Sequence, residues 1–518
     1  MEGHGAIMRK HHILTAVAAA AVFSLGASTL ALAGEESTSG GTFTYARSDS
    51  TTSFDLLQAI PENNAFEIDN VLETLVTFDT DGNVINWLAE DHKIYYDAHV
   101  SPFTLRDGLK FSDGTDVTAE DVKFSIERHL EVGGSLPIEA DVKSVEAVDE
   151  KTVEITLGTA YTPFLSELAN FSNGIIPKDF GGKTEEEFFK NPVGTGPFAV
   201  SEWDPSGDLT FVKNEYYWQE GKPYIDELVY KVVDDDNQAL NQLLAGEIDG
   251  IEDLSLSNAS NVDGNADTKT ATSFSYNVEE LFFNTLDEHF SDEHVRRALA
   301  MAIDRESLTK ALTFGYAEIA NTVLPRALLY QTNDTVNALS YDIDAAKEEL
   351  AQSAYPDGFD TTISIASGNN TRLQEAQIIQ AAGAQIGINI EINAQEISTF
   401  RSDFRDLNFS MMINSATADY PDANSIFAFQ VDPDGWSKCY WTSYNNETAA
   451  DLMRKGQVTP DGDERAAVYE ELQQILADEV PYIPLYNSEN VVGLRDNVEG
   501  FTVLPNGSVH FEDVYFEE

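Results

Sequence analysis

Two hydrophobic periods take turns along this chain, and that alternation limits what it can fold into. Strand-like and helix-like patterns follow one another throughout, with no fixed-period repeat and no long low-complexity tract. TFTYARS (Thr42 to Ser48) alternates like a first strand. AFEIDNVLETLVTF (Ala65 to Phe78) has apolar residues at helical spacing, and the DTDGNV after it supplies an Asp-Gly turn. Thr118 before Ala119, Glu120 and Asp121 marks a helix start. VKSVEAVDEKTVEITL (Val142 to Leu157) reads as a hairpin, and Thr362 to Ile392 as strand, helix, strand, a βαβ-like unit. ADLMRKG and ERAAVYEELQQILADEVPYIPLY read as amphipathic helices, the second leading into an apolar strand that ends at Tyr486. Over 518 residues this predicts an α/β protein of multidomain size with more than one core.

The first residues stand apart from that pattern. MRKHH (Met8 to His12) is basic, ILTAVAAAAVFSLGASTL (Ile13 to Leu30) is apolar, and ALA (Ala31 to Ala33) fits a small-residue cleavage site. This is the order of an export signal, residues 1–33, cleaved after Ala33. No later apolar run is long enough to span a bilayer. Cys439 is the single cysteine, so an intramolecular disulfide is excluded. With no cysteine at the cleavage site, a free periplasmic protein is expected and not a lipid-anchored one.

There are 89 acids against 31 lysines and arginines, a net charge of −58, dispersed along the chain in runs such as DVTAED and VDDDNQ. Such a surface repels nucleic acid and anionic lipid. Dispersal points to a heavily solvated surface suited to high salt, where the repulsion is screened.

Five segments in order carry a family resemblance. They are FTLRDGLKFSDGTDVTAEDVKFSIER (from Phe103), VGTGPFAV (from Val193), NEYYWQEGKPYIDEL (from Asn214), LLAGEIDGI (from Leu243) and FFNTLDEHFSDEHVRRALAMAIDRESL (from Phe282). Together they resemble the solute-binding proteins of peptide and nickel ABC importers, family 5. By themselves these residues do structural work. FSDGT and GTGP make tight turns, NEYYW packs aromatic rings in a core, and Arg296 and Arg297 are by default solvated or surface-paired.

The resemblance implies the two-lobed periplasmic binding protein fold, type II, in its large peptide-binding branch with an extra subdomain and a hinge between lobes. Lobe I would comprise residues 41–78, 194–280 and a C-terminal return, 493–518. The extra subdomain would be 79–193 and lobe II 281–492.

The stretch NSATADYPDANS (Asn414 to Ser425) is the candidate site. FSMMI (Phe409 to Ile413) reads as a buried strand, so Asp419 falls just past a strand end, where spacing alone also fits a turn acid. In peptide-binding relatives the matching motif carries an aspartate that pairs with the ligand's α-ammonium, and ADYPDAN resembles it, so that role carries onto Asp419. SFDLLQAIPENNAF (Ser53 to Phe66) resembles the family's first ligand-facing loop. This suggests Gln58, Ala59 and Ile60 as main-chain partners of an added ligand strand, opposite Ala416 and Thr417.

The chain departs from the pattern where many peptide binders have a tryptophan before the aspartate. Ser415, Ala416 and Thr417 stand there, leaving a roomier site or one filled by Tyr420, Trp436 or Trp441. SGNNTRLQEAQ (Ser367 to Gln377) resembles the segment where dipeptide binders place an arginine for the C-terminal carboxylate, and Arg372 matches it. A solvated arginine at a helix start fits the same residues. Ile413 stands where binders of longer peptides carry a basic residue, which favours short peptides.

G-x-S-x-G, H-E-x-x-H and P-loop motifs are missing, which counts against a secreted hydrolase. DGNAD (Asp263 to Asp267) lacks the sixth-position glycine and closing glutamate of a calcium loop, so neither metal nor cofactor is expected. The expected partners are a short peptide and a membrane-embedded ABC permease, with the protein a monomer. An oligosaccharide, opine or nickel-chelate cargo is the alternative within the same fold.

Overall fold

The computed structural model describes residues 40–57, 66–94, 99–134, 136–435 and 442–517. The export segment, Gln58, Ala59, Ile60, Trp436, Cys439 and Trp441 lie outside these. Among the described residues, no helix is long and apolar enough to cross a membrane.

The α/β alternation is present, organised on one mixed sheet. From one edge it runs through strands Ile388–Gln395, Phe359–Ala366 and Met411–Thr417 to a long pair, Thr268–Phe283 and Tyr482–Arg495. It continues through Gly250–Ile251, Thr42–Arg47, Glu227–Val232 and Leu209–Lys213 to Phe198–Trp203. The long pair belongs to both ends of this sheet. At one end the returning strand holds Gly250–Ile251, and at the other the outgoing strand holds Met411–Thr417. Pairing shifts register between Phe274 and Val278, and again between Glu279 and Glu280. Bulges there bend the two strands where they cross from one lobe to the other.

Each end has its own core, because each half of the sheet must bury its faces. Phe43, Phe198, Phe211, Leu228 and Phe511 pack together at the first, the last of these brought in by the C-terminal tail. Leu281, Leu299, Ile363, Ile379 and Leu485 pack at the second. A separate sheet of Ala89–His92, Val100–Leu105, Thr152–Leu157 and Val142–Ala147 carries the helix Ala119–Val132. That helix starts in a capping box between Thr118 and Asp121.

Two expectations fail for the same reason. The helical spacing of residues 65–78 yields one 3-10 turn, Phe66–Asn70, and a short strand, Val76–Phe78. The carbonyls a helix would use are taken by distant amides: Val71 accepts from Gly196, Glu73 from Ile175, and Leu75 from Trp87 and Ala89. Long-range pairing overrides local spacing. Arg296 is buried, not solvated, and its guanidinium donates to the carbonyls of Phe290, Glu479 and Val480. Arg297 behaves as expected and pairs with Glu349 at 2.9 Å.

NEYYW does pack. Trp218 Nε1 and Tyr217 Oη both donate to the buried Glu73 carboxylate, as does Trp87 Nε1. Burial, opposed by these donors, pushes Glu73 up to about 8.

Candidate functional site

The strand Met411–Thr417 lies antiparallel to the outgoing crossing strand, Ser415 opposite Glu279 and Thr417 opposite Asn277. Its other edge pairs only at Met411 and Met412, with Phe359–Ala366. Beyond Met412 no described strand pairs with that edge; Ala416 there is buried and Thr417 half-buried.

Asp419 follows two residues after the strand ends and is half-buried. The loop is pinned on every side. Ala418 N–H donates to the Tyr276 carbonyl at 3.0 Å. The Asp419 N–H donates to Ser425 Oγ at 2.7 Å, and its carbonyl accepts from Asn170 Nδ2 at 2.6 Å. Asp422 then caps the helix Ala423–Gln430 by accepting from Asn424 N–H. Its carboxylate also takes a two-pronged ion pair from Arg465, at 2.7 and 2.8 Å, with both side chains almost fully buried. These ties fix the main chain that carries Asp419.

Tyr420 turns away from the strand edge into a polar seam. Its hydroxyl lies 3.4 Å from Tyr161 Oη and 3.2 Å from Asn424 Nδ2. Tyr161 in turn reaches Glu139 at 3.0 Å and Glu167 at 2.9 Å. One hydroxyl proton cannot serve two carboxylates. Burial, then the charge of Glu139, pushes Glu167 up to about 8, so Glu167 holds a proton at neutral pH. A cavity of about 280 Å³ adjoins this seam, walled by Tyr161, Leu165, Tyr330 and Pro421. Asp419, Ala416 and Thr417 are not on its wall.

Arg372 sits in the first turn of the helix Asn370–Gln385, whose cap is Asn369. Its guanidinium does not project free. Nε and Nη2 donate to the two oxygens of Glu279 at 2.6 and 3.1 Å, and Nη2 also donates to Ser415 Oγ at 3.1 Å. Burial works against the charged form, but the Glu279 carboxylate outweighs it and leaves the pKa of Arg372 raised.

The structure thus brings Asp419, Ala416, Thr417 and Arg372 onto or beside one strand and draws Tyr420 into the seam. Asn170, Tyr161, Glu139, Glu167 and Glu279 were not anticipated. One of them had a signal: Glu279 is a charge inside the apolar run NVEELFF, and such a charge in a strand needs a partner.

The two-lobed fold, with two long strands crossing between the lobes, is that of a solute-binding protein. The chain belongs to the bacterial extracellular solute-binding proteins, family 5, whose pattern matches residues 83–438.

Among its relatives is the glutathione-binding protein GsiB of Shigella dysenteriae serotype 1, 27% identical over 449 residues, covering 85% of this chain and 87% of GsiB. Similar solved structures include the ABC transporter-associated periplasmic binding protein DppA from Helicobacter pylori in complex with peptide STSA. It is 26% identical with TM-score 0.78, covering 93% of this chain and 99% of DppA. AgaA from A. tumefaciens R10, in complex with agropinic acid, is 26% identical with TM-score 0.78, covering 92% of this chain and 99% of AgaA.

Proposed function

We propose that this protein captures short peptides, di- to oligopeptides, between its lobes and delivers them to an ABC import permease. The observation that carries this reading is Asp419, two residues past the end of a strand whose outer edge, beyond Met412, pairs with no described strand. A peptide added along that edge bonds through main chain whatever its sequence, and its α-ammonium meets the Asp419 carboxylate. GsiB and DppA support the class of cargo: glutathione is a tripeptide and STSA a tetrapeptide. The leader supports export to the periplasm with cleavage after Ala33, and we take the working form as a monomer.

Agropinic acid in AgaA favours a second reading, an opine as cargo in the same cleft. Mass spectrometry of ligand retained by the natively purified protein distinguishes the two. A thermal-shift screen across di-, tri- and tetrapeptides, opines, sugars and nickel chelates gives an independent ranking. At free ligand one hundred times the dissociation constant, stabilisation of about 2.7 kcal/mol is expected for the cognate class. An opine or sugar as sole hit overturns the peptide reading and leaves the fold untouched.

A further inference from the structure

Capture by the α-ammonium says nothing of the ligand's other end, and the pair Arg372–Glu279 bears on it. Three elements meet there: the helix start carries Arg372, the outgoing crossing strand carries Glu279, and the strand leading to Asp419 carries Ser415. A guanidinium grips a carboxylate in two-pronged fashion through Nε with Nη2, or through Nη1 with Nη2. Both edges need Nη2, whose two protons already go to Glu279 and Ser415. No two-pronged edge remains for a second carboxylate.

The charge is committed as well. Glu279 is 7% exposed, so releasing its partner would strand a buried anion. Beside it Glu375 is fully buried and accepts from Tyr486 Oη. Burial, then the charge of Glu279, pushes Glu375 up to about 8, so at neutral pH it is mostly uncharged. Arg372, Glu279 and Glu375 together then sum close to zero. The net charge of −58 adds a long-range field against anionic groups.

We propose that the cleft does not read a free C-terminal carboxylate through Arg372, and that it accepts peptides whose far end is uncharged or runs on past this point. Arg372 is a positioning residue that ties the Asp419 strand to the crossing strand. This rests on the peptide reading above.

Calorimetric titration at neutral pH and fixed salt tests it with tri-alanine, its C-terminal amide and its N-acetyl form. Acid and amide are expected to bind within about threefold of each other. A loss of about thirtyfold or more on amidation overturns the proposal while leaving the peptide reading intact. If tri-alanine does not bind but a longer peptide does, the same comparison on that peptide decides. If no peptide binds, both the reading and this proposal fall.

Glu279→Gln supplies the converse measurement, because it removes the charge that neutralises Arg372 and one of its two acceptor oxygens with little change of shape. The acid is then expected to outbind the amide by about tenfold or more. A variant that folds and still ignores amidation removes Glu279 as the cause. If the variant does not fold, the wild-type comparison decides alone.

Discussion

Asn170 and Asp419 are 249 residues apart in the chain, yet the Asn170 side-chain amide donates to the Asp419 main-chain carbonyl at 2.6 Å. The bond holds the candidate site against the segment that follows the four-stranded sheet. A neutral hydrogen bond of this kind contributes about 0.5–1.5 kcal/mol. Asn170→Ala should therefore weaken ligand binding by roughly two- to tenfold, read by calorimetry. Unchanged affinity would mean that the contact plays no part in the bound state.

Asp419→Asn keeps the shape of the side chain and removes its charge. An α-ammonium buried without its counter-ion should lose roughly 3–5 kcal/mol, about two to four orders of magnitude in affinity. N-acetylated peptide should already bind the wild type poorly and lose little more on mutation. A melting curve without ligand separates any structural role of the carboxylate. Equal binding of free and acetylated peptide by the wild type would refute the pairing.

The ion pair between Asp422 and Arg465 supports the loop from behind. Arg465 is 1% exposed and also donates to the Gly456 carbonyl. Asp422→Ala leaves the buried guanidinium with only the more exposed Asp461, 2.7 Å from Nη1, as counter-ion, so it should cost stability up to about 3–5 kcal/mol, the range for a buried pair broken from one side. Denaturant unfolding measures this, and a change below about 1 kcal/mol would show that the pair is dispensable.

Glu167 gives a pH signature. Its folded-state pKa is raised to about 8, by burial first and then by Glu139. The folded protein therefore holds this proton more tightly than the unfolded chain does. Its contribution to stability is complete below the ordinary carboxylate range and is lost as pH rises to about 8. The melting temperature of wild type should fall across that window. Glu167→Gln should flatten the fall, by at most about 1.4 kcal/mol per pH unit for one proton. Parallel wild-type and variant curves would exclude Glu167 as a contributor.

With a net charge of −58, self-repulsion opposes the compact state at low ionic strength. Melting temperature should rise steadily from low to molar salt, most steeply where the Debye length shortens from about 30 Å to 10 Å. Indifference to salt would remove the idea of a surface adapted to it.

Local pattern was enough for many elements. The helix Ala119–Val132, the hairpin from Val142 to Leu157 and the parallel unit around Asn370–Gln385 form where period and caps indicate. They do so because capping and amphipathic spacing act over a few residues. The place of Asp419 just past a strand end was legible for a similar reason, since the apolar run and the turn residues after it are contiguous. The strand before it starts and ends later than the apolar run FSMMI indicates, at Met411–Thr417, because pairing with Asn277 to Phe283 sets its limits.

What the chain left undecided is which distant groups meet. Arg372 could be read as a ligand's partner or as solvated, and the 89 acids gave no means of choosing a third course. Glu279, 93 residues away, was selected by register: it stands opposite Ser415 on one sheet face, under the helix that carries Arg372. The same holds for Tyr420, drawn to Tyr161 across 259 residues, and for residues 65–78, whose carbonyls went to distant amides. Periodicity is a property of neighbours in sequence and fixes which face of an element is buried. The pairing of charges and hydroxyls depends on strand register and helix docking, so only the assembled fold could choose Arg372's partner.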